Sequence, residues 1–353
     1  MSISLIDSVQ AAGKRLEPRS MPDGSRLLIL PFGARVLGLY ASGSDENFYW
    51  TNPALNQPET AKTFFASEGW QNTGGDRTWI APELDTFFTD EKLDKYWQPR
   101  KLDMSEYRFE PLGGGCQLSQ EMKLHLARSS GEVALRLNKW FGPAANPLRF
   151  DRDMTAVAAQ VQYAGYTQRI VLQSLDKVFQ LEALVAIWNL IQLPEGGEMI
   201  APLYSRTTPQ PCFGDVPPDH VAVEDHVIRM NMDLRGSHKL AIKATSACGR
   251  VAYSYGDGEI RSLVIRNFLV NPSGRYIDVQ RHDQGDFGYA VQLCRVDEAE
   301  FGSFCELEYH APALGDLPDP ARSEDISQVW AFRGRQEALD AIAMKLLGVK
   351  LTH

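Results

Sequence analysis

Apolar and polar residues alternate along much of this chain in short runs that clusters of turn-forming residues interrupt. Arg26-Leu27-Leu28-Ile29-Leu30 leads into Ala34-Arg35-Val36-Leu37-Gly38-Leu39, and Glu132-Val133-Ala134-Leu135-Arg136-Leu137 alternates cleanly. Lys239-Leu240-Ala241-Ile242-Lys243 and Arg261-Ser262-Leu263-Val264-Ile265 do the same. A period of two puts alternate side chains on one face, the mark of a half-buried strand. Between the runs stand Pro22-Asp23-Gly24, Gly113-Gly114-Gly115, Ser129-Ser130-Gly131, Gly256-Asp257-Gly258 and Pro272-Ser273-Gly274, residues that pre-set or tolerate turn geometry. Helical periodicity is scarce. Glu59 to Ser67 predicts one or two turns, and Gln336 to Leu347 predicts a helix with Leu339, Ile342, Leu346 and Leu347 on one face. The stretch Pro209 to Pro218 predicts a long exposed loop. Nothing repeats at a fixed period, which disfavours a propeller or solenoid. The expected architecture is mainly β: one domain over residues 1–353, a large antiparallel β-sandwich with a short C-terminal helix.

Composition narrows the partners. With 353 residues, 44% of them hydrophobic, the chain can bury a core large enough to need no staples. A net charge of −9 disfavours nucleic acid, which demands a basic footprint, and equally disfavours an anionic membrane surface. The five cysteines are odd in number, widely spaced and without a CxxC pair. They read as buried reduced thiols in a cytoplasmic protein, not as a disulfide framework or zinc knuckle. Residues Met1 to Gly13 carry Asp7 where a signal peptide needs an apolar core. The most apolar stretch, Val178 to Leu193, is cut by Glu182 and Asn189 and falls short of a membrane span. No GxGxxG follows a strand, and no Walker loop or GxSxG elbow occurs. No cofactor is expected. His220, Glu224, Asp225 and His226 lie close together but match no zinc or calcium spacing, so they read as a surface loop and no metal is expected.

Three segments carry a resemblance. Gly33 to Leu39, followed by Asn47-Phe48-Tyr49-Trp50-Thr51-Asn52-Pro53, resembles an opening glycine-led hairpin with an aromatic-Asn-Pro segment. Asn72-Thr73-Gly74-Gly75-Asp76-Arg77-Thr78-Trp79-Ile80-Ala81-Pro82-Glu83 resembles a Gly-Arg loop, and Phe304-Cys305-Glu306-Leu307-Glu308-Tyr309-His310 resembles a late strand that supplies a glutamate. Together they resemble the galactose-mutarotase-like (aldose 1-epimerase-like) superfamily, and within it its bacterial mutarotase-like branch. The resemblance implies the supersandwich fold and a small-molecule carbohydrate as partner. It also implies an aldose epimerase in which Glu308, with Glu306 as alternative, is the base and Arg77 approaches the sugar. The chain departs from the family where a histidine acid should precede an aromatic-aromatic-Asn-Leu segment: Leu184-Val185-Ala186-Ile187-Trp188-Asn189-Leu190 holds no histidine. His125 is the only candidate for the second expected histidine and reads as structural.

The residues can be weighed on their own chemistry. Glu306, Glu308 and His310 alternate on one strand face, with Cys305, Leu307 and Tyr309 on the other. Two carboxylates and an imidazole on one face suit either acid–base chemistry or a solvated outer surface. Anomer interconversion needs a base for the anomeric proton and an acid for the ring oxygen; His310, His282 or Asp283 could take the second role. Gly74 and Gly75 permit close backbone approach, Arg77 offers a forked donor, and Trp79 offers a flat platform. Asp76 or Glu83 could instead pair with Arg77 and make that loop structural. Asn189 either ties down a neighbouring loop or faces the cleft, while Trp188 reads as core. Asn271 to Gly288, with Asp283, reads as a cleft cap or a solvated turn. The expected set is Glu308 and His310 as catalytic groups, with Arg77, Trp79, Glu306, Asn189 and Asp283 contacting sugar. The alternatives are sugar recognition without catalysis and a glycoside-processing enzyme using paired carboxylates.

Overall fold

The alternating segments become strands of two antiparallel sheets packed face to face. The computed structural model describes residues 5–128, 131–176, 184–315 and 321–352. Nine strands form the first sheet, in the order Glu17–Ser20, Arg26–Leu30, Arg35–Tyr40, Asp76–Ala81, Ala186–Leu193, Gly302–His310, Tyr289–Glu298, His238–Lys243, Gln210–Phe213. Ten strands form the second, from Val221–Val223 at one edge to Arg108–Leu112 at the other, with the long strands Gly131–Pro143, Gln162–Ser174 and Arg322–Arg335 in its body. One apolar cluster from Met21 to Ala331 fills the space between them. The architecture is the expected β-sandwich.

The helix Gln336–Leu347 is where its periodicity puts it, and Gly348 ends it in the left-handed conformation. Its apolar face, Leu339, Ile342, Leu346 and Leu347, covers Ile200, Ala252, Leu263 and Ile265 on the outer side of the second sheet. Pro58–Ala66 is the other helix that periodicity indicates. A helix at Leu5–Ala11 escaped notice because seven residues give too little periodicity to register. No helix among the described residues is long and apolar enough to cross a membrane.

Two segments differ from expectation. Pro209 to Pro218 is not loop throughout, since Gln210–Phe213 pairs with His238–Lys243 at the sheet edge. An edge is where proline is tolerated in a strand. The segment Gly74 to Glu83 is a strand over Asp76–Ala81. Its glycines work against protein backbone: a Cβ on Gly75, at φ +80°, would lie 2.3 Å from the Val36 carbonyl oxygen, and one on Gly74 2.3 Å from that of Trp50. Close approach is to protein backbone, the neighbouring strand at Val36 for Gly75 and the segment at Trp50 and Thr51 for Gly74. Ser129, Ser130 and residues 177–183, including the start of the apolar stretch at Val178, lie outside the described residues.

A polar seam runs through the sandwich. Asp76 pairs with Arg266 at 2.5 Å and accepts from Tyr166, whose hydroxyl lies 2.8 Å from that of Tyr49. Lys139, wholly buried, donates to the Ala34 carbonyl at 2.7 Å. Buried polar atoms need such partners.

Candidate functional site

Strand register assembles the site. Residues directly opposite on neighbouring strands share a face. Glu306 stands opposite Gln192 on one side and Cys294 on the other, and Cys294 stands opposite Lys239. Glu308 stands opposite Leu190, which stands opposite Arg77. His310 stands opposite Trp188, and Trp188 opposite Trp79. Three adjacent rows on the outer face of the first sheet therefore bring together residues more than 200 positions apart. On the reverse side Cys305, Leu307 and Tyr309 enter the inter-sheet core, as alternation predicts.

A cleft of about 260 Å³ opens on this face, walled by Trp70, Trp79, Tyr96, Phe213, Phe301 and Phe304. The Arg77 guanidinium lies 4.0 Å from the centre of the Trp79 ring and 5.3 Å from that of Trp70, within cation–π range. Trp70 is itself held, because its indole N–H donates to Asp103 at 2.5 Å. Asp103 in turn takes a bidentate pair of bonds from Arg35 at 2.8 and 2.9 Å. This second ion pair fixes the aromatic wall around Arg77.

Charge lines the floor. Arg77 pairs with Glu306 at 2.8 Å, both side chains buried. The Nε and Nη1 of Arg77 find no hydrogen-bond partner among the described residues. Lys239 lies 3.2 Å from Glu308 and 3.5 Å from Glu83. Glu308 accepts from Trp188 Nε1 through Oε2 at 2.8 Å, while its Oε1 has no such partner. Burial raises the Glu308 carboxyl to about 7; the Lys239 charge pulls it down, and Glu306 and Glu83 push it up. Burial raises Glu83 as well. Burial opposes the charge of Lys239, but Glu308 and Glu83 outweigh it and hold the ammonium well above its ordinary range. Burial, helped by Lys239, pushes His310 well below its ordinary value and keeps the ring neutral. Burial and the charge of Glu308 raise the Cys294 thiol.

Cys294, Glu306 and Glu308 bring one sulfur and two oxygens within 4.8 Å of one another. Arg77 and Lys239 already supply positive charge to these carboxylates, so the group is a carboxylate pair neutralised by fixed cations. His220, Glu224, Asp225 and His226 form no such group: Glu224 pairs with Arg229 and Asp225 with Arg206.

The expected site residues divide. Arg77, Trp79 and Glu306 line the cleft. Glu308 and His310 share their face but sit beneath the wall, wholly buried. His310 stacks on Trp188 with ring centroids 5.4 Å apart and lies 3.8 Å from Asp278. Asn189 faces away from the cleft, accepting from Thr78 and Gln168 and donating to Asp325 in the inter-sheet seam. Its register, one residue off Trp188, dictates that side. Asp283 is an exposed turn residue that accepts from the Gly285 N–H, and it does not face Glu308. His282 and His125 are exposed too. Neither Asp76 nor Glu83 pairs with Arg77; they turn to Arg266 and Lys239. Trp188 is core and cleft wall at once. From Asn271 to Gly288 the cleft end is packed by Asp278, which accepts from the Glu83 N–H and from Gln292.

Lys239, Trp70 and Tyr96 were not singled out from sequence, and Glu83 was weighed only as a structural partner of Arg77. Lys239 carried a signal, the polar position of a clean alternation, but that pattern is the same for a solvated lysine.

Fold and site together define a β-sandwich protein with an aromatic-walled, charge-floored cleft on one sheet. The chain belongs to the family of unknown function DUF6786, whose model matches residues 16–353. In structure it is similar to a galactose mutarotase related enzyme from Lactobacillus acidophilus, with 10% identity, a TM-score of 0.43 and coverage of 89% of this chain and 97% of that one. It is also similar to the GalM/aldose epimerase homologue from C. elegans, with 6% identity, a TM-score of 0.40 and coverage of 91% and 99%. No curated protein matches the sequence.

Proposed function

We propose that the cleft binds a small carbohydrate and interconverts its anomers, with the Glu306–Glu308 pair taking the anomeric proton. The observation that carries this reading is the pairing of aromatic walls with two buried ion pairs, Arg77–Glu306 and Lys239–Glu308, around about 260 Å³. A sugar offers apolar C–H faces to rings and hydroxyl edges to charged donors and acceptors. The volume falls just under the usual range of roughly 300–1,000 Å³ for ligand pockets, which suits one sugar unit. A carboxyl held at about 7 is matched to proton transfer near neutrality. Glu306 meets the ligand, and Glu308 beneath it, with oxygens of the two within 4.8 Å, shares the proton.

Glycoside hydrolysis fits less well, because it needs carboxylates flanking the scissile bond. Glu306 and Glu308 instead stand side by side on one strand. Recognition without turnover is favoured by one observation, that Glu308 is closed off from the cleft by its wall.

Two-dimensional NMR exchange between the α and β anomers of common aldoses tests the reading, with tryptophan fluorescence as the binding measure. Accelerated exchange that Glu306→Gln and Glu308→Gln abolish is the expected result. Saturable binding without exchange would leave recognition alone, and neither binding nor exchange would remove the carbohydrate reading.

A further inference from the structure

We infer that Lys239 is the proton donor to the ring oxygen in this cleft, filling the role for which no histidine among the described residues lines it. The inference rests on the anomer-exchange reading and names its missing acid.

Exclusion narrows the choice first. His310 lies under Trp188 and does not line the cleft. Tyr96 and Cys294 line it too, but neither makes an ion pair with the carboxylates, as Lys239 does at 3.2 Å from Glu308. Arg77 is committed to Glu306, and a guanidinium does not give up its proton in proteins. Two groups remain, Lys239 and Glu83, 3.5 Å apart. Lys239 is the one that carries its proton when a ligand arrives, because Glu308 and Glu83 keep it charged.

Geometry then couples this acid to the base. Lys239 stands in the same row as Glu306, with Cys294 between them, all three on one face. It also touches Glu308 at 3.2 Å. The charged and titratable groups around it are Glu308, Glu83, Cys294, Cys212, Tyr96 and His310. When the carboxylate pair accepts the anomeric proton, the negative charge that holds the ammonium proton in place falls. Burial, which disfavours the ammonium, then pushes that proton outward. Base and acid are thus linked through the field between them, and the proton gained on one side favours the proton released on the other.

The step balances within the site. The Glu306–Glu308 pair takes the proton of the anomeric hydroxyl, and the C1–O1 bond gains double-bond character as the bond from C1 to the ring oxygen breaks. The electron pair of that bond goes to the ring oxygen, which takes a proton from Lys239. After rotation about C1–C2 the hydroxyl attacks the other face of C1. Lys239 recovers its proton, and the carboxyl returns one to O1.

The test measures anomer exchange and aldose binding for the wild type, Lys239→Met, Lys239→Arg, Lys239→Ala and Glu83→Gln, each checked by thermal melting. Lys239→Arg keeps the positive charge beside Glu308, so a loss of exchange in that variant is not a loss of fold. Exchange should fall about 10²–10⁴-fold in all three Lys239 variants, with binding by Lys239→Arg retained. In Lys239→Ala, added primary amines should restore exchange at a rate that follows the acidity of their ammonium ions, which a merely structural charge would not produce. Wild-type exchange that survives in Lys239→Arg, or that only Glu83→Gln abolishes, overturns this inference and leaves the anomer-exchange reading standing. Absence of exchange in the wild type overturns both.

Discussion

Trp188 donates its indole N–H to Glu308 at 2.8 Å, and neither side chain has any exposed surface. The bond is diagonal, since the residue facing Trp188 across the sheet is His310. One tryptophan therefore walls the cleft, covers a neutral histidine and supplies a donor to the carboxylate that burial raises to about 7.

Replacing that donor should be felt in both fold and titration. Trp188→Phe keeps an aromatic ring but takes one of two donors from the buried Glu308 Oε2, leaving Lys239 as the other, at a cost of about 1–3 kcal/mol. The Glu308 carboxyl should rise further, because the bond to Trp188 lowers it. Urea unfolding at neutral pH and carboxyl ¹³C titration measure the two effects.

The raised Glu308 carboxyl makes stability depend on pH. Its folded value is about 7 against an ordinary 4.5. Its contribution is therefore fully present below about 4.5 and lost as pH rises to about 7. The difference in melting temperature between Glu308→Gln and wild type should move in favour of the variant across that window and level off above it. A difference that stays flat from pH 4.5 to 7 would mean that Glu308 ionises normally in the fold.

Arg77 and Glu306 are worth more as a pair than apart. Arg77→Met leaves the buried Glu306 without its cation, which should cost about 3–5 kcal/mol. Adding Glu306→Gln should return much of that loss, since a neutral amide needs no counter-charge. A double-mutant cycle read by chemical denaturation checks the coupling.

Lys139 offers the opposite sign. Burial lowers it from 10.5 to about 7, so its contribution is present above about 10.5 and is lost as pH falls toward about 7. Lys139→Met should raise the melting temperature at pH 6, by the equivalent of about 1–4 kcal/mol for an apolar replacement of a buried charge. The advantage should shrink as pH rises toward 10.

Alternation along the strand Gly302–His310 was enough to separate Glu306, Glu308 and His310 from Cys305, Leu307 and Tyr309, because neighbouring strand residues must point to opposite sides. Arg77 and Trp79 came instead from the resemblance of their segment and from their own side-chain chemistry, and the strand Asp76–Ala81 puts both on the cleft. Asn189 and Asp283 were not. A polar residue in an apolar run has two faces open to it, and only the pairing of Asn189 with Thr78 and Tyr309 shows that it turns inward. Asp283 was placed by proximity in sequence to a segment that packs on the cleft, yet Asp278, five residues earlier, makes the contacts.

The sequence by itself determined which residues alternate, where turns and the closing helix fall, and hence a β-sandwich and the two faces of each strand. These are local properties, set by backbone geometry over a few residues. Only the tertiary structure decided that the charged face of one central strand is buried, because burial depends on which strands lie beside it. Lys239 comes from 67 positions before Glu306 and Arg77 from 229 before it. Only the sheet order brings their charges to that carboxylate row, and with them the low-dielectric surroundings that turn a solvated-looking row into a buried, charge-paired one.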